Sequence, residues 1–427
     1  MRGPPRYPSA VSTNTPRPFP APSELARHWT LDPAVCFLNH GSFGACPASV
    51  LEAQSQFRAR MEREPVKWFV ETVQGLMDEA RASLAAFVKC RTEDLVFIPN
   101  ATQAVATVVA NLEASLKPGD ELLAPGHEYP ACMNNLRRAA ARTGAKVVRI
   151  PLPFPLASPD EVVEAVLGAV TPRTRALLIS HVTSPSGLVL PVERFVPELE
   201  RRGVAVILDG AHAPGFTPAV DIASLACSFY TANCHKWICS PKGSAFLFIR
   251  ADRQKDFRPL ALSNNAEKPR PGRKHLLTEF DYVGTSDLTP FLAIPAALKT
   301  MASLVPGGWP EVMKMNRDMV VSARNVLCRE LGVEPPAPDS MIGCLSTIFL
   351  PQHDAARTAR LLSRPSRYHD ALQDRLLDKH RIQVPLWSIE GDGRRLFRIS
   401  AQLYNSLPQY AYLAAALKEE LEAERRL

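Results

Sequence analysis

The sequence lacks the features of several large classes of protein. Its nine cysteines include no C-x-x-C pair, and the closest two, Cys234 and Cys239, have no second pair or H-x-x-x-H that would complete a zinc site. The longest apolar stretches, such as residues 410–417, fall far short of the ~20 residues that cross a bilayer. We therefore predict a cytoplasmic protein with reduced thiols, without a bound metal and without a membrane partner.

Charge of neither sign is concentrated along the chain. The 50 Lys and Arg residues exceed the 43 Asp and Glu residues by only seven in a chain of 427. They form no basic block, which argues against a nucleic-acid partner. The N-terminal segment also lacks the apolar core of a signal peptide and is rich in proline, so residues 1–30 are predicted to be a disordered tail.

Glycine-rich phosphate motifs are absent as well, since neither G-x-G-x-x-G nor a Walker sequence occurs. Residues 95–250 instead alternate short, continuous apolar runs with segments of helical periodicity, a pattern typical of a doubly wound, mostly parallel sheet. The predicted strands are 95–98, 121–124, 146–150, 176–181, 204–208, 226–230 and 245–249, and the predicted helices are 102–116, 130–142, 160–170 and 192–201.

The pattern changes after about residue 290. Long helical segments, 291–304 and 311–331, precede two strands at 343–350 and 396–399 and a last helix that runs to residue 427. Residues 358–369, with their Ser, Pro and Arg, are predicted to form a surface loop. This mixture is typical of a smaller α+β domain.

Polar side chains follow several of the predicted strands, at the edge where open α/β sheets bind ligands. The strand 204–208 leads directly into Asp209-Gly210-Ala211-His212, and Lys236 lies between His235 and Trp237 at the start of the next loop. Taken singly, Asp209 is equally well explained as a helix cap and Lys236 as an ordinary loop cation.

Together, Asp209 and Lys236 match what a pyridoxal phosphate enzyme needs. The lysine would hold the aldehyde as a Schiff base, and the carboxylate would pair with the pyridinium nitrogen. The phosphate needs N–H groups at a helix start, which Asn100-Ala101-Thr102-Gln103 would supply directly after the strand 95–98. A plain N-cap is the alternative interpretation of this turn.

With these pieces in place, the chain resembles the class V aminotransferase superfamily of PLP fold type I, and within it the isopenicillin N epimerase-like group. The resemblance covers about residues 30–415. Seven ordered motifs carry it: Leu38-Asn39-His40-Gly41-Ser42-Phe43-Gly44, Asn100-Ala101-Thr102, His127-Glu128-Tyr129, Asp209-Gly210-Ala211-His212, Asn233-Cys234-His235-Lys236-Trp237, Gly284-Thr285-Ser286-Asp287 and Arg398-Ile399-Ser400-Ala401-Gln402-Leu403-Tyr404-Asn405.

The resemblance implies a fold, a cofactor and a role for each matched residue. The expected fold is a mostly parallel seven-stranded sheet with helices on both faces, joined to a smaller α+β C-terminal domain. The expected organisation is a large cofactor domain at 76–298, a small domain at 299–427 and an N-terminal segment at 31–75 that packs with the small domain. The expected cofactor ligands are Lys236 as the Schiff-base lysine, Asp209 at the pyridine nitrogen, His212 near the phenolic oxygen, Tyr129 stacked on the ring, and Ala101, Thr102, Asn233 and His235 at the phosphate.

Thr285 is expected to reach the phosphate of the neighbouring subunit, so the resemblance also implies a homodimer with shared active sites. Arg398 lies on one face of a predicted strand, where it would need a carboxylate partner. An internal salt bridge would satisfy it equally well. The resemblance implies that it binds the α-carboxylate of an amino-acid substrate, with Asn39 and His40 beside that substrate.

The sequence is compatible with several types of reaction. Proton removal from Cα by Lys236 is common to epimerases, β-lyases and aminotransferases, which differ in the fate of the carbanion. A persulfide-forming desulfurase is disfavoured because residues 351–398 contain no cysteine. We take an amino-acid epimerase as the leading hypothesis, with a C–S lyase resembling hercynylcysteine sulfoxide lyase or cysteine lyase, a class V aminotransferase, and a catalytically silent PLP-fold binding protein as alternatives. Tyr129 and His212 are the candidates for an epimerase's second acid or base.

Overall fold

A computed structural model of the chain describes residues 19–216, 220–388 and 393–426. Most of the predicted N-terminal tail, residues 1–18, lies outside this part. The tail was predicted to extend to residue 30, but Glu24–His28 form a 3₁₀-helix, and the Ser23 N–H donates to the Tyr404 carbonyl at 3.0 Å. Ordered structure therefore begins inside the segment that its prolines led us to predict as disordered.

The large sheet has seven strands, as predicted, and lies at the centre of the described structure. Its order is β2-β8-β7-β6-β5-β3-β4, and all neighbours are parallel except where β8 pairs with β2 and β7. The twelve strands of the described residues are β1 Cys36–Phe37, β2 Leu95–Ile98, β3 Glu121–Pro125, β4 Lys146–Ile150, β5 Thr174–Ser180, β6 Ala205–Asp209, β7 Phe229–Asn233, β8 Ala245–Ile249, β9 Leu345–Phe349, β10 Ile382–Gln383, β11 Leu386–Ser388 and β12 Arg395–Ser400.

Helices cover both faces of this sheet, which explains why most of its strands are continuous apolar runs. One face packs against α5, α6 and α10, and the other against α4, α7 and α8. The helices are α1 His40–Phe43, α2 Ala48–Arg63, α3 Pro65–Lys67, α4 Val73–Phe87, α5 Ala101–Glu113, α6 Pro130–Thr143, α7 Pro159–Gly168, α8 Val196–Arg201, α9 Ile222–Leu225, α10 His275–Asp281, α11 Thr289–Leu292, α12 Ile294–Ser303, α13 Gly308–Leu331, α14 Ala355–Leu362, α15 Ala371–His380 and α16 Leu407–Arg425.

The C-terminal part forms a second, antiparallel sheet of three strands, β11-β12-β9, against which α13 packs. The N-terminal segment joins it through β1, which pairs in parallel with β10. Residues far apart in the sequence therefore meet here, and α1 is placed beside the end of β12: the Gly41 N–H donates to Ser400 Oγ at 3.1 Å.

Two predicted elements were wrong in position. The strand predicted at 226–230 is Phe229–Asn233, because Ala226 takes a left-handed conformation (φ 53°) that ends α9. Part of the loop predicted at 358–369 is helical. Asp354 caps α14 by accepting a hydrogen bond from the Arg357 N–H at 2.8 Å, and this helix continues to Leu362. The Ser and Pro residues that suggested a loop, Ser363, Pro365 and Ser366, follow the helix.

No single helix of the described ranges is long and apolar enough to span a membrane. The pair Thr289–Ser303 and Gly308–Leu331 reaches the required length and composition only when taken together, and the chain bends by 70° between them.

An ion-pair cluster fixes the strand that carries Arg398. Arg395, three residues earlier in β12, is 4% exposed and pairs with the buried carboxylates of Asp370 and Glu424, each at 2.7 Å. Removal of one member of such a cluster leaves buried charges without a partner. The position of β12 therefore depends on this guanidinium.

We expect Arg395→Ala to lower the free energy of unfolding by about 3–5 kcal/mol, because it leaves the buried carboxylate of Asp370 without its ion-pair partner and Glu424 with Arg364 alone. Arg425→Ala is the matched control: Arg425 pairs with Glu422 at the surface, where both side chains are more than half exposed, and its loss should cost less than about 1 kcal/mol. Urea unfolding of both variants measures the difference. Equal effects would show that the buried cluster does not stabilise β12.

Candidate active site

The predicted site residues from the large sheet meet at the carboxyl ends of its parallel strands. Asp209 is the last residue of β6 and Asn233 the last of β7, and α5 begins two residues after β2 ends. The loop after β7 then carries Lys236 back towards Asp209. This is the edge at which open α/β sheets bind ligands.

The Lys236 side chain contacts a buried histidine. Its Nζ lies 3.0 Å from His212 Nε2. Burial, and after it the positive charge of Arg398, lowers the pKa of the Lys236 ammonium to about 8. An appreciable fraction of the amine is therefore neutral near pH 8, the form that attacks an aldehyde and accepts a proton.

Asp209 is a buried carboxylate without a cationic partner. Its Oδ1 accepts a hydrogen bond from the Ala211 N–H at 2.9 Å, and its Oδ2 accepts one from the Cys132 thiol at 3.4 Å. Burial raises the pKa of Asp209, and no ion pair of Asp209 is found among the described residues. Such a carboxylate is stabilised when a ligand brings a protonated nitrogen to it.

The start of α5 forms the predicted anion site in part. The Ala101 N–H donates to Asn233 Oδ1 at 2.9 Å, and the Gln103 N–H donates to the Asn100 side chain at 2.9 Å. Asn233 thus holds the helix start, and the Thr102 N–H is the first-turn donor for which the described structure offers no acceptor. A phosphate would complete this turn.

His235 lies beside the same turn. Its Nδ1–H donates to the Ser244 carbonyl at 3.0 Å, which leaves Nε2 as the atom available to a ligand. Burial lowers the pKa of His235 to about 4, so a phosphate would have to raise this pKa in order to be bound by a protonated imidazole.

Arg398 occupies the small-domain wall of the site and is 3% exposed. Its guanidinium donates to the Ser184 carbonyl and, at 3.3 Å, to Ser42 Oγ, and it lies 5.4 Å from the centre of the Trp387 ring. Its Nε has no partner, and no carboxylate of the described residues pairs with it. The internal salt bridge considered from the sequence is therefore wrong for the part of the chain described here, and a buried cation is left to bind an external anion.

The N-terminal segment contributes to the site through α1. The His40 Nε2–H donates to the Lys236 carbonyl at 3.0 Å, and its Nδ1 accepts from the Tyr404 hydroxyl at 2.8 Å. With both ring nitrogens engaged, His40 holds the backbone of the lysine, and its predicted contact with substrate stays a prediction. Asn39 accepts a hydrogen bond from Ser42, which in turn contacts Arg398.

Two predicted residues lie at the surface of the single chain. Tyr129 directly precedes α6 and is 45% exposed, and the Thr285 hydroxyl contacts only the Tyr282 hydroxyl at 2.7 Å. Their roles at the ring and at a neighbouring subunit's phosphate stay predictions.

Sequence reasoning assigned no role to four residues that the structure brings into the site. Trp237 donates to His212, Cys132 contacts Asp209, Tyr404 holds His40, and Ser184 contacts Arg398. Trp237 and Tyr404 lie inside recognised motifs, which was an available signal. Cys132 and Ser184 have no local signal, because only the fold places them there.

These features fit pyridoxal phosphate on independent grounds. Asp209 is a buried carboxylate without an ion pair, which suits a protonated ring nitrogen. The start of α5 offers an N–H donor to the phosphate, and Lys236 supplies an amine of lowered pKa. The orphaned Arg398 Nε further offers a place for a substrate carboxylate.

Comparison with known proteins agrees with this geometry. The family model described as Aminotransferase class-V matches residues 39–304, more than half of the chain. The chain belongs to the class V aminotransferase family. It is therefore a pyridoxal-phosphate-dependent enzyme with the predicted type I fold.

Relatives of this chain are named for different reactions. The chain is 36% identical to an isopenicillin N epimerase of Amycolatopsis lactamdurans over 402 residues, which cover 91% of this chain and 96% of that protein. It is 29% identical to a probable L-cysteine desulfhydrase of Arabidopsis thaliana over 92% of this chain and 84% of that protein. A cysteine desulfurase of Escherichia coli has the same fold, with a TM-score of 0.74 at 19% identity over 94% of this chain and 98% of that structure.

We expect cofactor capture to report the lowered pKa of Lys236. The rate at which pyridoxal phosphate develops its Schiff-base band near ~420 nm should rise with pH to a plateau, with a midpoint near pH 8, because only the neutral amine reacts. Arg398→Met should move this midpoint to higher pH, since a nearby positive charge lowers the lysine pKa.

Arg425→Met, which removes a charge at the far end of α16, is the control and should leave the midpoint unchanged. Lys236→Ala should abolish the band. A wild-type midpoint near pH 10, or no shift in Arg398→Met, would contradict the electrostatic assignment.

Proposed function

We propose that the chain is an amino-acid epimerase that acts at Cα of a substrate held by Arg398, with Lys236 as the catalytic acid and base on one face. The observation that supports this most is the combination of a partly neutral lysine with a buried guanidinium whose Nε has no partner. The 36% identity to an isopenicillin N epimerase favours epimerisation among the reactions that this site could perform.

Each site residue has a proposed role that follows from its position. When bound, pyridoxal phosphate withdraws electron density from the substrate Cα and so makes its proton removable. Arg398 binds the α-carboxylate and fixes the orientation of Cα, and Lys236 Nζ removes the proton. Asp209 is proposed to hold the ring nitrogen, with Thr102, Asn233 and His235 at the phosphate.

An epimerase also needs a proton donor on the face opposite Lys236. Of the two candidates, His212 touches Lys236 Nζ itself and so belongs to the lysine's side. We therefore propose Tyr129 as the second acid: it directly precedes α6, the helix whose Cys132 contacts Asp209.

A C–S lyase is the second candidate, and the similarity to an L-cysteine desulfhydrase favours it. Such a reaction would expel a sulfur leaving group from Cβ without a cysteine nucleophile. Of the nine cysteines, only Cys90 is more than marginally exposed, and burial raises the thiol pKa of Cys132 and Cys239 near the site, so neither is a ready nucleophile.

Incubation with candidate amino acids in D₂O distinguishes these reactions. We expect deuterium at Cα with inversion of configuration, measured by mass spectrometry and chiral chromatography, and no accumulation of pyruvate or another 2-oxo acid. Lys236→Ala is the inactive control. Pyruvate release without inversion would replace the epimerase by a lyase, and a 2-oxo acid that retains the side chain would indicate an aminotransferase.

The roles of Tyr129 and Lys236 can be separated in the same assay. Tyr129→Phe should slow inversion by about a hundredfold, typical for loss of a general acid, while exchange of the Cα proton through Lys236 continues. Parallel loss of exchange and inversion would contradict two-face chemistry.

We propose further that the enzyme is a homodimer with shared active sites. Apolar side chains that the single chain leaves exposed support this, notably Val66 and Val70 on either side of Lys67, and Val283 next to the Tyr282–Thr285 contact. The proposed interface would bring Thr285 to the partner's phosphate site.

Subunit complementation tests the shared site. Lys236→Ala and Thr285→Arg should each be nearly inactive, the second because its bulk and charge disturb the partner's site. Refolded as an equal mixture, they should recover about a quarter of wild-type activity, because half of the dimers are mixed and each holds one intact site. Full activity of Thr285→Arg alone, or no recovery when two inactive variants are mixed, would contradict sharing.

A further inference from the structure

The hydrogen bond between Trp237 and His212 constrains a proton at the centre of the site. Trp237 Nε1 lies 3.3 Å from His212 Nδ1. An indole N–H can only donate, so His212 Nδ1 must accept. Nδ1 therefore carries no proton.

His212 is also neutral. Burial, and after it the charges of Lys236 and Arg398, lowers the pKa of His212 well below its usual value. A neutral imidazole without a proton on Nδ1 carries it on Nε2. The Nε2–H then points to Lys236 Nζ, 3.0 Å away.

The direction of this second hydrogen bond follows. Since Nε2 is a donor, this hydrogen bond forms with the neutral form of Lys236, because only the neutral amine has a nitrogen lone pair to accept it. The alternative, an ammonium that donates to Nε2, needs a proton on Nδ1, and Trp237 leaves that proton no acceptor.

The surroundings keep Trp237 in this orientation. Its side chain is fully buried, its ring lies 4.8 Å from that of His40 and 5.1 Å from that of Phe216. A rotation away from His212 would leave the buried indole N–H without an acceptor. Such unsatisfied donors destabilise the folded state and are rare in native proteins.

We propose that Trp237 is a positioning residue that fixes the His212 tautomer, so that His212 presents a donor on Nε2 to Lys236 and to the acceptor group of the cofactor beside it. Trp237 thereby selects the nucleophilic form of the lysine through one intervening side chain. The cofactor part of this proposal rests on the proposed function, whereas the tautomer itself does not.

Nitrogen-15 NMR of the cofactor-free protein tests the tautomer directly. With ¹⁵N-labelled histidine, His212 should show an unprotonated Nδ1 and a protonated Nε2, and its signals are assigned among the ten histidines by their loss in His212→Gln. In Trp237→Phe, which keeps an aromatic ring but has no N–H, the Nδ1-protonated form should become populated. A protonated His212 Nδ1 in the wild type would overturn the proposal whether or not Trp237→Phe folds.

A double-mutant cycle tests the consequence for Lys236. Trp237→Phe should slow capture of pyridoxal phosphate by about tenfold at pH 8, the size expected for loss of one hydrogen bond to a group near charge. In the His212→Gln background the same change should have less than about a twofold effect, because a glutamine amide has no tautomer to fix.

Equal effects of Trp237→Phe in both backgrounds would show that Trp237 contributes only through core packing and would overturn the proposal. Failure of the proposed function is distinguishable from this outcome. If the wild-type protein develops no Schiff-base band, the cofactor assignment fails. The NMR experiment still tests the His212 tautomer, because it uses the cofactor-free protein.

Discussion

The active site depends on charges that are buried without a partner. Asp209 on the large-domain side and Arg398 on the small-domain side are almost completely enclosed, and neither pairs with an opposite charge within the described chain. Removal of an ion from water costs several kcal/mol unless another charge compensates it. A ligand that carries a protonated ring nitrogen at one end and a carboxylate at the other supplies both missing partners.

The rest of the fold maintains this unfavourable arrangement. Parallel strands with helices on both faces fix Asp209 and Asn233 at the ends of β6 and β7. The Arg395 cluster fixes β12, and with it the position of Arg398 on the same strand. Lys236 lies between the two charges, and its amine is partly neutral because both burial and Arg398 oppose its protonation.

The sequence predicted the sheet and its cofactor-binding edge well. Strands covered on both faces leave continuous apolar runs, so β2 and β8 have the predicted bounds. The partly exposed edge strand β4 has its predicted bounds as well. Local chemistry also selected Asp209, Lys236 and Arg398 as candidates, and their roles stay predictions. The errors arose where a local conformation departs from what composition suggests: Ala226 adopts a left-handed turn that glycine usually occupies, and α14, started by the Asp354 cap, extends into a segment whose Ser, Pro and Arg residues suggested a loop.

Contacts between distant residues could not be predicted. The sequence suggested that His40 lies beside the substrate, but only the folded chain shows that both its nitrogens are engaged by Lys236 and Tyr404. The unpaired state of Arg398 is likewise a property of the whole fold, because any acidic residue could have met it. Cys132 and Ser184 gave no local signal for the same reason.

The His40 bridge has a consequence for the order of folding. It ties the reactive lysine to two residues that are 364 positions apart, one from each end of the chain. Closing a loop of this length is entropically costly and occurs after local structure has formed. We therefore expect the full bridge, with both nitrogens of His40 engaged, to form only after residue 404 has been synthesised and has docked.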